Sequence, residues 1–307
     1  MSIQILLATY NSEKHLSQQL DSILSQDYGD FQILLRDAGS EDGTLEIISN
    51  YEKQYPEKII LKEVGRADAC RNFSRLLELS DADIIMFSDH DDVWLPNKVS
   101  MTLAKYQQAE DLYGKDTPIL VFTDSVVVNE NLEKIRNSHF IHQNLNPQKI
   151  DFISLSIQNC ASGNTILLNR SLKEKAVPIP QEAVMHDHFL MLTAAALGKI
   201  VLLDEPTLLY RQHTKNVLGA ANYGFFYFLR LIAEGKENSR GKFYRHIRQA
   251  IAFYQLHKEE IPQELQSFLS ELQNFQQLGF LQKRQFLLRY RLFKSGFLRN
   301  LGMFLVI

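Results

Sequence analysis

Five short apolar runs in the first 125 residues, alternating with segments of helical periodicity, restrict this chain more than any other feature. The runs are Ile3–Ala8, Phe31–Leu35, Ile59–Leu61, Ile84–Phe87 and Ile119–Phe122. Short, nearly continuous apolar runs bounded by turn residues read as strands buried on both faces. Between them Leu16, Leu20, Ile23 and Leu24 recur at helical spacing, as do Leu45, Ile47, Ile48 and Tyr51, then Phe73, Leu76, Leu77 and Leu79. Another helix is expected over Pro96–Leu112, with the proline in its first turn. Strands that alternate with amphipathic helices imply an α/β layer structure with a mostly parallel central sheet.

Open sheets of this kind bind ligands outside the carboxyl ends of their strands. Thr9, Asp37, Asp89 and Asp124 each come just after an apolar run, so four polar strand ends are expected around one crevice. Beyond a loop-rich stretch from Arg136 to Ser156, Thr165–Leu168 reads as a strand and Phe189–Leu197 as a helix opened by Met185-His186-Asp187. Ile200–Leu203 and Leu208-Leu209-Tyr210 read as two short strands around Pro206. This half is expected to complete the crevice, which makes 1–219 one domain.

From Ala220 the pattern turns helical. Tyr223, Phe225, Phe226, Tyr227 and Phe228 crowd together, and helices are expected over Lys242–Glu259 and Pro262–Leu278. Residues 280–307 carry Lys283, Arg284, Arg289, Arg291, Lys294 and Arg299 with no carboxylate, among many aromatic and aliphatic side chains. A basic amphipathic tail can lie in the interface of an anionic membrane; the alternative is a helix packed on the domain or on a subunit partner. The aromatic helices leave a homo-oligomer open.

Composition narrows the function classes. With 33 Lys+Arg against 36 Asp+Glu and a net charge of -3, the 307-residue chain is not a general nucleic-acid binder. Hydrophobic types at 45% suffice for a sizeable core and exclude a disordered chain. The two cysteines, Cys70 and Cys160, form no framework and read as free thiols of a reducing compartment. The opening MSIQILLATYN reads as a first strand rather than a signal peptide, and no run is long enough for a conventional transmembrane helix. A cytoplasmic location is expected.

The residues with chemistry cluster at strand ends. Ser88-Asp89-His90-Asp91-Asp92-Val93-Trp94 puts three carboxylates within four residues. They repel one another unless a cation or an extended turn absorbs the charge. Hard divalent ions such as Mg²⁺ or Mn²⁺ take oxygen ligands and share them with phosphates. Asp37 leads into Gly39-Ser40-Glu41-Asp42-Gly43 and can either accept from a base or ribose or shape an Asx-type turn. Asp187, at a helix start, is a candidate general base if an acceptor hydroxyl comes within reach. His213 is a candidate imidazole for a cation, and Cys160 without a partner base reads as structural.

In their order and spacing these motifs resemble family 2 glycosyltransferases of the GT-A fold, nearest to the bacterial rhamnosyltransferase-like branch. The resemblance covers about residues 1–219. It rests on Leu7-Ala8-Thr9-Tyr10-Asn11, Arg36-Asp37-Ala38-Gly39-Ser40-Glu41-Asp42-Gly43-Thr44, the acidic segment, Gly163-Asn164-Thr165, Met185-His186-Asp187 and Tyr210-Arg211-Gln212-His213 with Asn216-Val217-Leu218-Gly219. The resemblance implies a GT-A catalytic domain over 1–219 and a helical extension over 220–307. It implies nucleotide-sugar contacts from Thr9, Tyr10, Asn11, Asp37, Arg66 and Asp89, and metal ligation of Mn²⁺ or Mg²⁺ by Asp89, Asp91 and His213. Asp187 becomes the catalytic base, and Asp92, Trp94 and His186 acceptor contacts.

The implied activity is an inverting, metal-dependent hexosyl transfer to a growing cell-surface polysaccharide or lipid-linked glycan, at the inner face of the plasma membrane. Ala38, His90, His188 and Asn164 depart from the family pattern. They weaken the assignment of dTDP-rhamnose as donor and leave a UDP-hexose, glucose or galactose, open. The competing readings are nucleotidyl transfer, which lacks a glycine-rich lysine-containing loop here, a Cys160 hydrolase, and a non-catalytic glycan-binding or assembly subunit.

Overall fold

The computed structural model describes residues 1–212 and 236–307. Its centre is a sheet in the order β3-β2-β1-β4-β8-β6-β9-β5, with β7 paired to β6. The parallel part contains β1 (Ile3–Thr9), β2 (Gln32–Asp37), β3 (Ile59–Val64) and β4 (Ile84–Ser88). The antiparallel β8 (Ile166–Asn169) joins β4 to β6 (Ile119–Val128), and β6 pairs in parallel with β9 (Lys199–Arg211). Two short antiparallel strands, β5 (Val93–Trp94) on β9 and β7 (Lys134–Arg136) on β6, complete it. The α/β expectation of a mostly parallel sheet followed by helices holds, with the antiparallel pairs confined to short ladders.

The crossovers are α1 (Leu16–Leu24), α2 (Thr44–Gln54), α3 (Ala69–Leu79) and α4 (Lys98–Tyr113). Four helices lie between β7 and β9: α5 (His139–Gln143), α6 (Phe152–Leu155), α7 (Arg170–Ala176) and α8 (His186–Leu197). The last four are α9 (Lys236–His257), α10 (Gln263–Leu272), α11 (Phe280–Arg289) and α12 (Phe297–Val306).

Strand periodicity decides which face each residue covers. Leu6 and Ala8 of β1 join a core with α3, α8 and the C-terminal helices, while Ile5 and Leu7 join the opposite core with α1 and α4. Every residue of β1 is buried, and each such Leu or Ile contributes about 1.5–3 kcal/mol of transfer free energy. α3 starts where its sequence says, because the Asp68 carboxylate accepts from the Arg71 backbone N–H.

Three expectations change. The two short strands around Pro206 form the single strand β9; the ladder instead shifts register on both sides of Asp124, whose partner is Pro206. A proline has no N–H to give, so irregularity there replaces a break. For the same reason Asp124 is no strand end: β6 runs on to Val128. The helix expected over Pro262–Leu278 stops at Leu272 and is followed by a 3₁₀ turn at Phe275–Gln277.

The C-terminal helices share the main core. Phe253 of α9 meets Phe152 at 5.2 Å and Phe189 at 6.1 Å, and Phe268 of α10 meets Phe286 of α11 at 5.9 Å. Leu292, Met303 and Ile307 are buried in the same cluster. The expected domain boundary at 219/220 and the aromatic crowd at 223–228 lie outside the described residues.

Candidate active site

Because β1, β2, β4, β6 and β9 run the same way, their carboxyl ends line one edge of the sheet, and antiparallel β8 brings its leading turn, Gly163-Asn164-Thr165, to the same edge. Three groups of residues meet there.

The first is the loop pair at the ends of β1 and β2. Asp37 is fully buried. Its carboxylate accepts from the Thr9 hydroxyl at 2.8 Å, from the backbone N–H groups of Gly39 (2.9 Å) and Ser40 (2.7 Å), and from the Ser40 hydroxyl at 2.6 Å. Gly39 holds a φ of 86°, which only glycine adopts without strain. Asn11 locks the two loops together, donating its N–H to the Ser40 hydroxyl and accepting from the Glu41 N–H through its side chain. Tyr10 is exposed above this platform. The Arg66 side chain, also exposed, pairs with Glu41 at 3.7 Å.

The second group is the acidic segment leaving β4. It runs from Asp89 to β5, which lies beside α1: the Trp94 N–H donates to the Ser22 hydroxyl at 3.0 Å. Asp92 is buried and anchored, accepting from the Arg211 N–H at 3.0 Å and from the Asn164 amide. Arg211 ends β9 and is itself buried. Its guanidinium donates to the Asp91 carbonyl at 2.7 Å, to the Gln18 side-chain oxygen at 2.6 Å and to the Glu130 carbonyl. Below it, the Lys98 ammonium donates to the Thr207 hydroxyl at 3.2 Å and lies 4.8 Å from the centre of the Trp94 ring. Burial pulls Lys98 down to about 7, against the opposing pull of Asp92.

The third group is the start of α8. Asp187 is nearly buried and accepts from the His188 N–H at 2.6 Å. Burial raises it to about 7, although backbone N–H groups of His188 and Gly163 pull the other way. Asp89 is raised to about 8, first by desolvation and then by the like charges of Asp91 and Asp187. Residues 98 positions apart therefore share one electrostatic site.

The donor set suits a hard divalent cation in part. Asp89 and Asp91 supply carboxylate oxygens whose mutual repulsion such an ion would relieve. Among the described residues no group of three or more His, Cys, Asp or Glu is placed to hold a metal by itself. Mg²⁺ ordinarily completes its shell with water and substrate phosphates rather than with a closed protein cage. His213 lies outside the described residues.

A family model described as glycosyl transferase family 2 matches residues 4–174, more than half of the chain. The chain belongs to this family. A dTDP-rhamnosyl transferase of Shigella flexneri, RfbG, is 29% identical over 230 residues, covering 70% of this chain and 74% of its own. The Escherichia coli enzyme WfgD, a UDP-Glc:alpha-D-GlcNAc-diphosphoundecaprenol beta-1,3-glucosyltransferase, is 26% identical over 173 residues, 55% of this chain and 61% of its own. An uncharacterized glycosyltransferase of Nostoc is 26% identical over 228 residues, 70% of this chain and 66% of its own. The matches thus span under two thirds of the Escherichia coli and Nostoc proteins.

Among solved structures, S. aureus TarS 1-349 in complex with UDP-GlcNAc superposes with a TM-score of 0.58 at 17% identity, over 96% of this chain and 74% of that one. The mannosyltransferase PcManGT of Pyrobaculum calidifontis, in complex with GDP-Man and Mn2+, gives 0.55 at 14%, over 90% and 70%. These likenesses establish the fold.

Membership of this family lets the crevice be divided by the parts that a transfer from a nucleotide-sugar would need. The edge brings together Thr9, Tyr10, Asn11, Asp37 and Arg66 on one side, with Asp89, Asp91 and Asp187 on the other. The three residues expected at the acceptor sit differently: Asp92, Trp94 and His186 are all buried. Asp92 fastens the acidic segment, Trp94 packs under it with Lys98, and His186 stacks on Phe73 at 4.3 Å with Phe87 at 4.9 Å. As they stand, all three support the site from beneath.

A Cβ on Gly163 would come within 2.8 Å of the His186 ring, so the turn can pass over the imidazole only as glycine. Asp124 caps α5, accepting from the His139 and Phe140 N–H groups. Cys160 is buried and its thiol is pushed up to about 12, consistent with a structural residue. Sequence reading missed Arg211 as an anchor and Asn164 as the partner of Asp92. Their signal is positional: both belong to the quoted motifs, but their contacts come from distant elements.

Proposed function

We propose that the enzyme is an inverting, metal-dependent hexosyltransferase that takes rhamnose, glucose or galactose from its nucleotide and passes it to a hydroxyl of a growing cell-surface polysaccharide or lipid-linked glycan. The observation that supports this most is the gathering of Asp89, Asp91 and Asp187 at one sheet edge, with Asp187 held near 7 by burial. The likeness to RfbG and WfgD supports a dTDP-rhamnose or UDP-hexose donor. A lipid-linked acceptor of the kind in WfgD's name would place this action at a membrane surface, which we take to be the inner, cytoplasmic face in peripheral contact.

The Thr9–Asn11 and Asp37–Glu41 loops form the floor for the nucleoside. Asp37 acts through the loop it orders, Tyr10 offers an exposed ring, and Arg66 stands over the rim. Asp89 and Asp91 face the diphosphate, where a bound Mg²⁺ or Mn²⁺ would offset the charge that develops on the leaving group. With His213 as a further ligand, the ion's protein shell would still be small enough to admit phosphate oxygens.

Asp187 accepts the proton of the acceptor hydroxyl as that oxygen attacks the anomeric carbon from the face opposite the nucleotide. The C–O bond to the acceptor forms while the bond to the diphosphate breaks, so the configuration inverts in one displacement of oxocarbenium character. A carboxylate raised to about 7 is a far better base than an ordinary aspartate, yet is still largely ionised just above neutral pH.

The test is donor turnover by the purified protein on dTDP-rhamnose, UDP-glucose, UDP-galactose and their N-acetylated relatives, with Mn²⁺, with Mg²⁺ and with EDTA, in the presence of lipid-linked glycan extract. One preferred donor, used only with metal and lost in Asp91→Ala, is the expected result. Silence across the panel together with no nucleotide-sugar binding by calorimetry would replace this reading with the non-catalytic glycan-binding one.

A further inference from the structure

A helix on a protein surface normally turns its apolar stripe inward and its charges out. α12 departs from this: it buries Met303 in the core, as expected, but buries an arginine beside it and leaves a second apolar face outside. Its Arg299 points into the protein, only 7% exposed, and donates to the carbonyls of Asn144 (2.7 Å), Ser295 (3.2 Å) and Gln143. Phe297, Leu301 and Leu305 recur every four residues, which puts them on one helix face. That face is open: Phe297 is 78% exposed, and both leucines are exposed as well.

The neighbouring α11 repeats this, with Phe286 and Leu287 in the core and a second apolar face outside. Lys283 is buried with its ammonium donating to the Tyr244 hydroxyl at 3.0 Å, while Phe280, Leu281 and Leu288 are exposed. Arg284 stitches the helices together, lying 3.3 Å from the Phe280 ring centre and donating to the Phe304 carbonyl. Arg299 ties α12 to the end of α5, whose Ile141 is also exposed. α5 in turn hangs from Asp124 within β6, through the His139 N–H at 2.9 Å.

We propose that α11 and α12 form a shallow membrane-docking face for the surface of an anionic lipid bilayer. Residues 280–307 contain no carboxylate, and Arg291 and Arg289 stand exposed beside the apolar stripe, Arg289 near Glu271 at 3.1 Å. Apolar side chains enter the acyl boundary while cations meet the headgroups. A second copy docked on the same face would bring the exposed Arg289 and Arg291 toward like charges. Among the described residues no helix is long and apolar enough to cross a membrane, so the contact lies in the interface plane. This names the surface behind the membrane contact of the preceding reading, and it does not depend on the donor chemistry.

Flotation of the full chain with vesicles of phosphatidylcholine, alone or mixed with phosphatidylglycerol, tests it. The protein should float with the mixed vesicles, less with the neutral ones, and less again in high salt. The triple variant F297S/L301S/L305S should float about tenfold less well, with an unaltered circular dichroism spectrum and unaltered donor turnover in vesicle-free solution. Turnover is thereby read apart from docking, so a failed transferase reading would not be mistaken for failed docking. Cys70 and Cys160 are both buried, so a dye placed through Leu301→Cys reports this face; its emission should shift blue with mixed vesicles. Failure of the unmodified protein to float with anionic vesicles would overturn the proposal, as would equal flotation of the triple variant. A dye shift that follows protein concentration and not lipid would assign the face to a protein partner instead.

Discussion

Two aspartates at the ends of the strands that flank β1 have opposite electrostatic lives. Asp37, at the end of β2, accepts four hydrogen bonds within its own loops and is sealed from solvent. Asp89, just past the end of β4, faces the like charges of Asp91 and Asp187 and is raised to about 8. Both looked alike as residues: a carboxylate after an apolar run. The difference lies in what the loop supplies. Two N–H groups and two hydroxyls make Asp37 part of the architecture, whereas two more carboxylates leave Asp89 in need of a cation or a proton. A satisfied carboxylate builds a site, and a stressed one is ready to act in it.

The sharpest way to break this contrast is to remove the stressed side. Asp187→Asn retains shape and hydrogen-bonding capacity but cannot accept the proton, so kcat should fall by ~10²–10⁴, while the unfolding midpoint holds or, above pH 7, rises because no buried charge remains there. A loss under tenfold would remove Asp187 from the base role. On the sealed side, Asp37→Ala strands the Gly39 and Ser40 N–H groups and the Thr9 hydroxyl. The expected cost is about 1–3 kcal/mol for each group left without a partner, partly recovered by water. That loss should appear as a lower unfolding midpoint and a raised donor KM, with kcat changed far less than in Asp187→Asn. If Asp37→Ala left the midpoint alone and abolished kcat, the two aspartates would have to exchange roles.

The smallest effect is a matter of pH. Burial holds Asp187 at about 7 in the folded protein against 3.8 as the ordinary value, and the base must be ionised to work. kcat/KM should therefore rise with pH through about 7 and level off above it. The folded state binds this proton more tightly than the unfolded chain does, so the contribution of Asp187 to stability runs the other way. It is complete below the ordinary value and is lost as pH rises through about 7. Rate and melting profiles recorded together across that window should slope in opposite directions; a flat rate profile would place the base elsewhere.

Much of the fold could be read from periodicity alone. Ile3–Ala8 and Ile84–Phe87 announced buried strands, and the spacing of Phe73, Leu76 and Leu77 announced α3, because each depends on residues within a few positions of itself. Pro206 misled because a missing N–H usually ends a strand, and only the register shift opposite Asp124 lets β9 continue. The buried arginine of α12 was hidden for a related reason: composition shows that arginine and phenylalanine share a helix, but the carbonyls of Gln143 and Asn144 draw Arg299 inward. In the site, Asp89, Asp91 and Asp187 were legible as carboxylates at element ends. The burial of Asp92, Trp94 and His186 was not, since their neighbours Arg211, Lys98 and Phe73 come from other parts of the chain.

The Arg211 guanidinium grips Asp91 and Glu130 by their main-chain carbonyls. Every amino acid supplies a carbonyl, so these hydrogen bonds would outlast a substitution at either position, although the carboxylates of Asp91 and Glu130 also help to hold the charge of the guanidinium. Asp91 thus serves twice: its main chain fastens the frame, which leaves its carboxylate for the chemistry proposed for it.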